Sequence, residues 1–545
     1  MSGTGSFSPE ARAESIHRID HEGFDVLVVG GGVMGCGITR EATLRNYKTA
    51  LVSRGDFASE ANGHSFGLVR SGFDRLRRYG LRVGLRALRE GRTLSSLAGH
   101  LFSPRFLLLV SQREDDLHSR AHRLGLLLCD LLSGSPASLR ALGDGELGEA
   151  EPLLRLEGAE RALLRHGYVV DGDRLSLSNA RWAYAHGAAV ANYVALVGFI
   201  KDGGRIVGAH LRDALTGERF GCRAKVVVNA AGQDWDDVRL LDDPSTSRRL
   251  RFTNASNLIV KRDRLPLSHT IVIEPKGGRS VATVPLGNCV AVGQADTGHV
   301  EDHGSTHASA PDVAHLLEVV NRHFPSSSLA MEDVLVSYPS SRPEMVGRSR
   351  KPRVATDHAI LLSPSGLFSV VCGELLTYRA TAEELMDMVS DVLHYGHGMR
   401  VSFLSGSSFE PLEGSFDEEL RKSMLADMTK RGLEAGVADH LLSLYGSRYE
   451  EVLSISEADH QLREKMKPGL PHIWAEVPYS VTHECAVTLE DVMVRRLHLF
   501  VEDAEQGLDV ASRVVETMAP LLGWDEGMKA LQLSLYRRLV AESRP

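Results

Sequence analysis

Asp25-Val-Leu-Val-Val-Gly-Gly-Gly-Val-Met-Gly35 is the stretch on which the reading of this chain turns. Its first half is a continuous apolar run, the composition of a strand buried on both faces. Gly30-Gly-Gly-Val-Met-Gly35 follows, and residues 35–46 then take on helical periodicity. A strand, a glycine loop and a helix in that order lay backbone N–H groups against a pyrophosphate at the helix N-terminus. The arrangement points to an enzyme with a nucleotide cofactor. A glycine fingerprint standing alone is weak, because turns also use glycine only for packing.

Outward from the loop, residues 24–29 read as the first strand and Thr49-Ala-Leu-Val-Ser53 as the second, which makes a βαβ start. Residues 188–196, 205–210 and 224–232 read as further strands, the last leading into a turn at Gly232. Period-two stretches at 256–261, 269–274, 280–284 and 289–293 predict an antiparallel sheet interleaved with the first domain. Residues 311–323 are helical, and Leu367-Phe-Ser-Val-Val-Cys372 returns to a strand ending at Gly373. From about residue 385 helical periodicity takes over. Ser408 to Ser415 reads as a linker, leaving 22–390 as the main region and 416–545 as a helical domain.

Composition narrows the function classes. The 545 residues carry a formal charge of −9, which argues against a general nucleic-acid binder. Cys36, Cys129, Cys222, Cys289, Cys372 and Cys485 are scattered without a C-x-x-C pair, so neither a disulfide framework nor a metal site is expected. A reducing cytoplasm fits that pattern. The first twenty residues are polar, unlike a signal peptide, and the longest apolar runs are too short to span a bilayer. The basic runs Lys465-Met-Lys467 and Arg495-Arg496 read as solvated helix faces.

One element of a dinucleotide site is missing. The second strand ends in Ser53 and Arg54, where an Asp or Glu would accept hydrogen bonds from a ribose. Ser53 still offers a hydroxyl, and Arg54 a charge for a phosphate. A 2′-phosphate dinucleotide is therefore the formal alternative at this point.

The chain resembles the FAD-dependent glycerol-3-phosphate dehydrogenases. The resemblance is carried by Gly30-Gly-Gly-Val-Met-Gly35, Gly55-Asp-Phe-Ala-Ser59, Val228-Asn-Ala-Ala-Gly232, Gly293-Gln-Ala-Asp296, Glu332-Asp-Val334, Arg342-Pro343, Ser363-Pro-Ser-Gly-Leu367 and Leu376-Thr-Tyr-Arg379. Asp171-Gly-Asp-Arg-Leu175, His483-Glu-Cys-Ala-Val-Thr-Leu-Glu-Asp491 and Arg495-Arg496 extend it through the tail. It implies a glutathione-reductase-type FAD-binding α/β domain, an antiparallel-sheet substrate domain and an all-helical C-terminal domain. It also implies that Gly30, Gly32 and Gly35 lie on the FAD pyrophosphate, where the Ser53 hydroxyl can still bond to the ribose. Ser59 and the residues after it would run along the flavin, and Gly232 and Gly373 would close the loops around it.

The substrate positions depart from the family. Its histidine-glycine-glycine-leucine-arginine-tyrosine stretch aligns with Arg70-Ser-Gly-Phe-Asp-Arg75, so Asp74 stands where an arginine is usual. Thr356 replaces a second arginine and Glu374 a lysine, while Arg342 is kept. A carboxylate facing a phosphate is unfavourable in a partly desolvated pocket. The residue types therefore predict hydride removal from an alcohol or amine carbon of a small polar, amino-bearing or zwitterionic metabolite, as in specialised metabolism, rather than from glycerol 3-phosphate. Asp74 and Glu374 would meet the ammonium group and Arg342 the anion. Asp74, Glu374 or His64 would serve as base, with His358 a further candidate, and Arg70, Arg75 and Thr356 would line the substrate. The alternatives are an ordinary glycerol-3-phosphate dehydrogenase, structural ion pairs made by Asp74 with Arg75 or Glu374 with Arg379, and a catalytically inactive flavoprotein or scaffold. The electron acceptor, oxygen or quinone, stays open. So do homodimer formation and a peripheral seat on the inner face of the membrane, where many members of the resembling family act.

Overall fold

The computed structural model describes residues 6–59, 68–69, 81–112, 140–156, 160–274, 279–294, 308, 310–345, 358–372 and 375–544. Its principal strands are β1 (Gly23–Val29), β2 (Thr49–Val52), β3 (Ala189–Ala191), β4 (Arg219–Asn229), β5 (Leu250–Lys261), β6 (Val334–Met345) and β7 (Leu367–Cys372). The principal helices are α1 (Pro9–His21), α2 (Val33–Leu44), α3 (Leu81–Leu97), α4 (Gly172–Ala185), α5 (Tyr378–Asp391) and α6 (Glu476–Glu484).

β1 lies at the centre of an eight-stranded sheet, with parallel neighbours β2 and β4. β3 continues the parallel order beyond β2, and β7 beyond β4. The apolar run of β1 follows from its two buried faces. Val26 and Val28 pack with Ile38 of α2, Ala180 of α4 and Leu385 of α5. Leu27 and Val29 pack on the other side with Ile19 of α1 and Leu211. Each such side chain, fully withdrawn from water, contributes on the order of 2 kcal/mol. The strands predicted over 188–196 prove to be two elements. Ala189–Ala191 ends at Asn192 and Tyr193, the latter at φ +55°, and Val194–Asp202 then pairs antiparallel with Arg205–Asp213.

Among the described residues the second sheet has nine strands and is antiparallel except where Thr270–Glu274 runs parallel to Phe102–Gln112. A long pairing joins β5 to β6, with a register shift between Ile259 and Val260. Leu258, Val260 and Val292 cover one face together with Leu316 and Val320 of the helix Ala310–His323. Ile259, Ala291, Val336 and Tyr338 cover the other, packed against Trp474, Val477, Val492 and Val515 from the C-terminal helices. Residues 418–543 hold helices and turns with no strand. Among the described residues, no helix is long and apolar enough to cross a membrane.

Candidate cofactor site

The glycine loop sits where β1 hands the chain to α2. Gly30 has φ +124°, and a Cβ there would lie 2.3 Å from the Ala230 carbonyl oxygen at the end of β4. A Cβ at Gly35 would lie 1.8 Å from the Gly30 carbonyl oxygen, so the first turn of α2 closes onto the loop only because position 35 is bare. Gly32 differs from both. Among the described residues a Cβ there would meet nothing within 4 Å, and Gly32 is the N-cap of α2 without a side chain capping it. The positive end of the helix therefore faces open space, and a side chain would intrude into that space. That cradle fits a pyrophosphate.

Two loops flank it. After β2, Ser53 is buried; its N–H donates to Ala191 O at 3.0 Å and its hydroxyl to Asp56 O at 3.4 Å. Arg54 reaches across to Asp234 at 2.9 Å, in the turn Gly232–Asp234 after β4. That turn is shaped by Gly232 at φ +54° and by Asn229, whose side chain accepts from Ala231 N and donates to Trp235 O. Arg54 is thus engaged with a carboxylate of the neighbouring loop. Beyond it, Ala58, at φ +61°, donates its N–H to Gly31 O at 3.0 Å, and Ser59 N–H donates to Asp56 O at 3.3 Å.

Asp56 is the residue that local sequence did not single out. Its carboxylate accepts from Asn192 Nδ2 at 2.9 Å, Arg495 Nε at 2.9 Å, and Arg496 Nη1 and Nη2 at 2.8 and 3.1 Å. Burial by itself would raise this carboxyl, but the charges of Arg496 and Arg495 outweigh it and hold the group well below the usual carboxylate range. The expectation that Arg495-Arg496 forms a solvated face is corrected: their side chains are 3% and 1% exposed. Two guanidiniums cannot be buried unpaired, and Asp56, Asp491 and Glu490 supply the partners. The only local hint was the doublet itself, since nothing near it in sequence names Asp56.

Of the other sequence-derived positions, His64, Arg70, Asp74, Arg75, Thr356, Gly373 and Glu374 lie outside the described residues. Arg342 stands in β6 opposite Thr253 of β5. Arg379 is buried and grips Glu90 of α3 through Nε and Nη2 at 2.8 and 2.7 Å, with Glu383 at 2.8 Å on Nη1. Its partners join α3 to α5. His358 is paired through Nε2 with Glu384 at 3.1 Å, on the strand His358–Leu362, which lies antiparallel to β7 at the edge of the eight-stranded sheet.

Comparison with known proteins agrees with this geometry. Residues 25–406 match the FAD dependent oxidoreductase family, and residues 404–529 match the C-terminal domain of alpha-glycerophosphate oxidase. The aerobic glycerol-3-phosphate dehydrogenase of Staphylococcus aureus is 28% identical over 514 residues, spanning 92% of this chain and 91% of that protein. The structure of a glycerol-3-phosphate dehydrogenase from Bacillus halodurans complexed with FAD superposes with a TM-score of 0.80 at 26% identity, covering 99% of both chains. An L-alpha-glycerophosphate oxidase from Mycoplasma pneumoniae shares the fold, at a TM-score of 0.52, 17% identity, and coverage of 70% of this chain and 96% of that one. The fold is the glutathione-reductase type with a helical C-terminal domain, the cofactor is FAD, and the protein is an oxidoreductase. The expected preference for an amino-bearing metabolite over glycerol 3-phosphate is overturned by these end-to-end likenesses. Its physical weakness is that a substitution changes a pocket's charge only if the side chain faces the substrate, and residue type carries no direction.

Proposed function

This chain belongs to the FAD dependent oxidoreductase family, and from that premise we propose that it is a glycerol-3-phosphate dehydrogenase. The observation that carries this reading is the likeness to the Bacillus halodurans enzyme across 99% of both chains. FAD, when bound, supplies the two-electron acceptor for a hydride leaving a hydroxyl-bearing carbon. The chain's own part is to hold that cofactor and a phosphorylated polyol against it. Gly30, Gly32, Gly35 and Gly232 would hold the cofactor's phosphates and adjoining loop, with Ser53, Ser59 and Gly373 along its length. Arg342, with Arg70 and Arg75, would supply the positive charge that a phosphate dianion requires. His64, Asp74 and Glu374 are the groups available as base for the hydroxyl proton. An acceptor, oxygen or a quinone, would then remove the electrons.

The same reading divides the chain into 22–390, which binds cofactor and substrate, and 416–545, which packs against it. Its test is steady-state oxidation of glycerol 3-phosphate by the FAD-loaded protein with an artificial acceptor. Arg342→Ala should raise KM at least tenfold while leaving FAD bound. An unchanged KM removes Arg342 from the site, and no turnover by the unaltered protein removes the reading.

A further inference from the structure

Asp56 and Arg496 are 440 positions apart in sequence yet meet in the interior, beside the cofactor loop. The contact is not needed merely to attach the C-terminal helices. Trp474, Val477, Val492 and their neighbours already bury an apolar face against the second sheet. Apolar contact is non-directional, whereas a buried carboxylate with fixed donors has a defined place and orientation. Burying charges for adhesion alone is a poor exchange against apolar packing.

What the charges do follows from where they end. Arg495 is itself held by Asp491 at 2.6 Å, whose other oxygen accepts the N–H groups of Val487 and Thr488. Tyr193, at the end of β3, donates to the same Asp491 at 2.6 Å. Arg496 is fixed by donation to Glu484 O from Nη2 at 2.9 Å. The pair is thus rigidly mounted before it reaches Asp56. On the far side, the Asp56 carbonyl receives Ser53 Oγ and Ser59 N–H, and two residues on Ala58 donates to Gly31 O. Ser53 Oγ lies 2.4 Å from where a Cβ on Gly31 would be, so the segment 53–59 meets the glycine loop both by this close packing and by the Ala58 hydrogen bond.

We propose that Arg495 and Arg496 are positioning residues for the FAD loop: by fixing Asp56 they fix the segment 53–59, and through it Gly31 and the open edge at Gly32. The C-terminal domain is then part of the cofactor site. This rests on FAD binding at the glycine loop. The test is FAD titration of the stripped full-length protein, at a temperature where circular dichroism shows every variant folded. Arg496→Lys and Asp56→Asn should each raise the FAD Kd at least tenfold, and the double variant should raise it by less than the product of the two. At saturating FAD the substrate KM should stay within twofold. Glu476→Gln is the control, since Glu476 is buried in the C-terminal helices on His440, Tyr445 and Ile473 and does not touch the segment 53–59. It should lower the melting temperature while leaving the FAD Kd within twofold. The proposal is overturned if Arg496→Lys and Asp56→Asn leave Kd within twofold, or if Glu476→Gln raises it as much. Variants that fold only with FAD present support it, and variants unfolded even at saturating FAD overturn it. Unaltered protein that took up no FAD would instead remove the cofactor reading beneath it.

Discussion

Gly35 and Gly30 stand so close that a Cβ on the first would lie 1.8 Å from the carbonyl oxygen of the second, whereas Gly32 between them faces open space. The two positions therefore fail differently when filled. Gly35→Ala should destabilise even the cofactor-free protein, by about 3 kcal/mol or more, because backbone rather than a flexible side chain must give way. Gly32→Ala should leave the stripped protein within about 0.5 kcal/mol of the original and raise the FAD Kd at least tenfold. Urea unfolding of the stripped variants and FAD titration separate the two outcomes.

Arg379 and Glu90 predict a structural defect, although Arg379 belongs to a stretch that carries the family resemblance. Both side chains are 8% exposed, and their bidentate contact joins α3 to α5. Glu90→Gln leaves a guanidinium short of its main partner and should cost about 2–4 kcal/mol of stability. Glu383, which also holds Arg379, keeps the loss toward the lower end. Substrate KM in the folded fraction should not change. A raised KM with unchanged stability would assign Arg379 to the site instead.

The cofactor fold was legible because its signals are local. A strand buried on both faces must be apolar throughout, and a loop as tight as Gly30–Gly35 must be glycine where backbone meets backbone. Both requirements are written within eleven consecutive residues. The Asp56 cluster was not legible, since its partners lie hundreds of positions away and a basic doublet on a helix looks the same whether it faces water or a carboxylate. The substrate class is not legible for a related reason. Arg379 shows that a motif residue can turn to a neighbouring helix, so counting charges at Asp74, Thr356 and Glu374 without their directions predicts the wrong ligand class.

His100 gives a pH signature. Burial first, and the charge of Arg174 second, push its pKa from 6.5 down to about 3, and its Nδ1 meets no hydrogen-bond partner among the described residues. Below about pH 6.5 the unfolded chain binds a proton here that the folded chain refuses. Stability should therefore fall with pH by about 1.4 kcal/mol per unit from this residue, until the folded pKa is passed. His472, also pushed to about 3 by burial and then by His440, adds a slope of the same sign. Urea unfolding at pH 6 and pH 4.5 should show the His100→Gln variant losing about 2 kcal/mol less than the unaltered protein. Equal losses would show that His100 is protonated in the folded state.

Arg54 and Asp234 form an ion pair at the mouth of the cradle, with side chains 61% and 28% exposed. Water and salt screen such a pair, so Arg54→Ala should shift stability by less than about 1 kcal/mol. A larger loss in thermal unfolding would mean that the two flanking loops depend on this bridge.

We propose that electrons pass from glycerol 3-phosphate to FAD held by the Gly30–Gly35 loop. The most direct measurement is the visible flavin band of the FAD-loaded protein, mixed anaerobically with glycerol 3-phosphate and, separately, with amino alcohols, amino acids and amino sugars. Glycerol 3-phosphate should bleach the flavin rapidly and completely, and the amino compounds should not bleach it. A flavin that stays oxidised with glycerol 3-phosphate but bleaches with an amino compound would contradict the proposal.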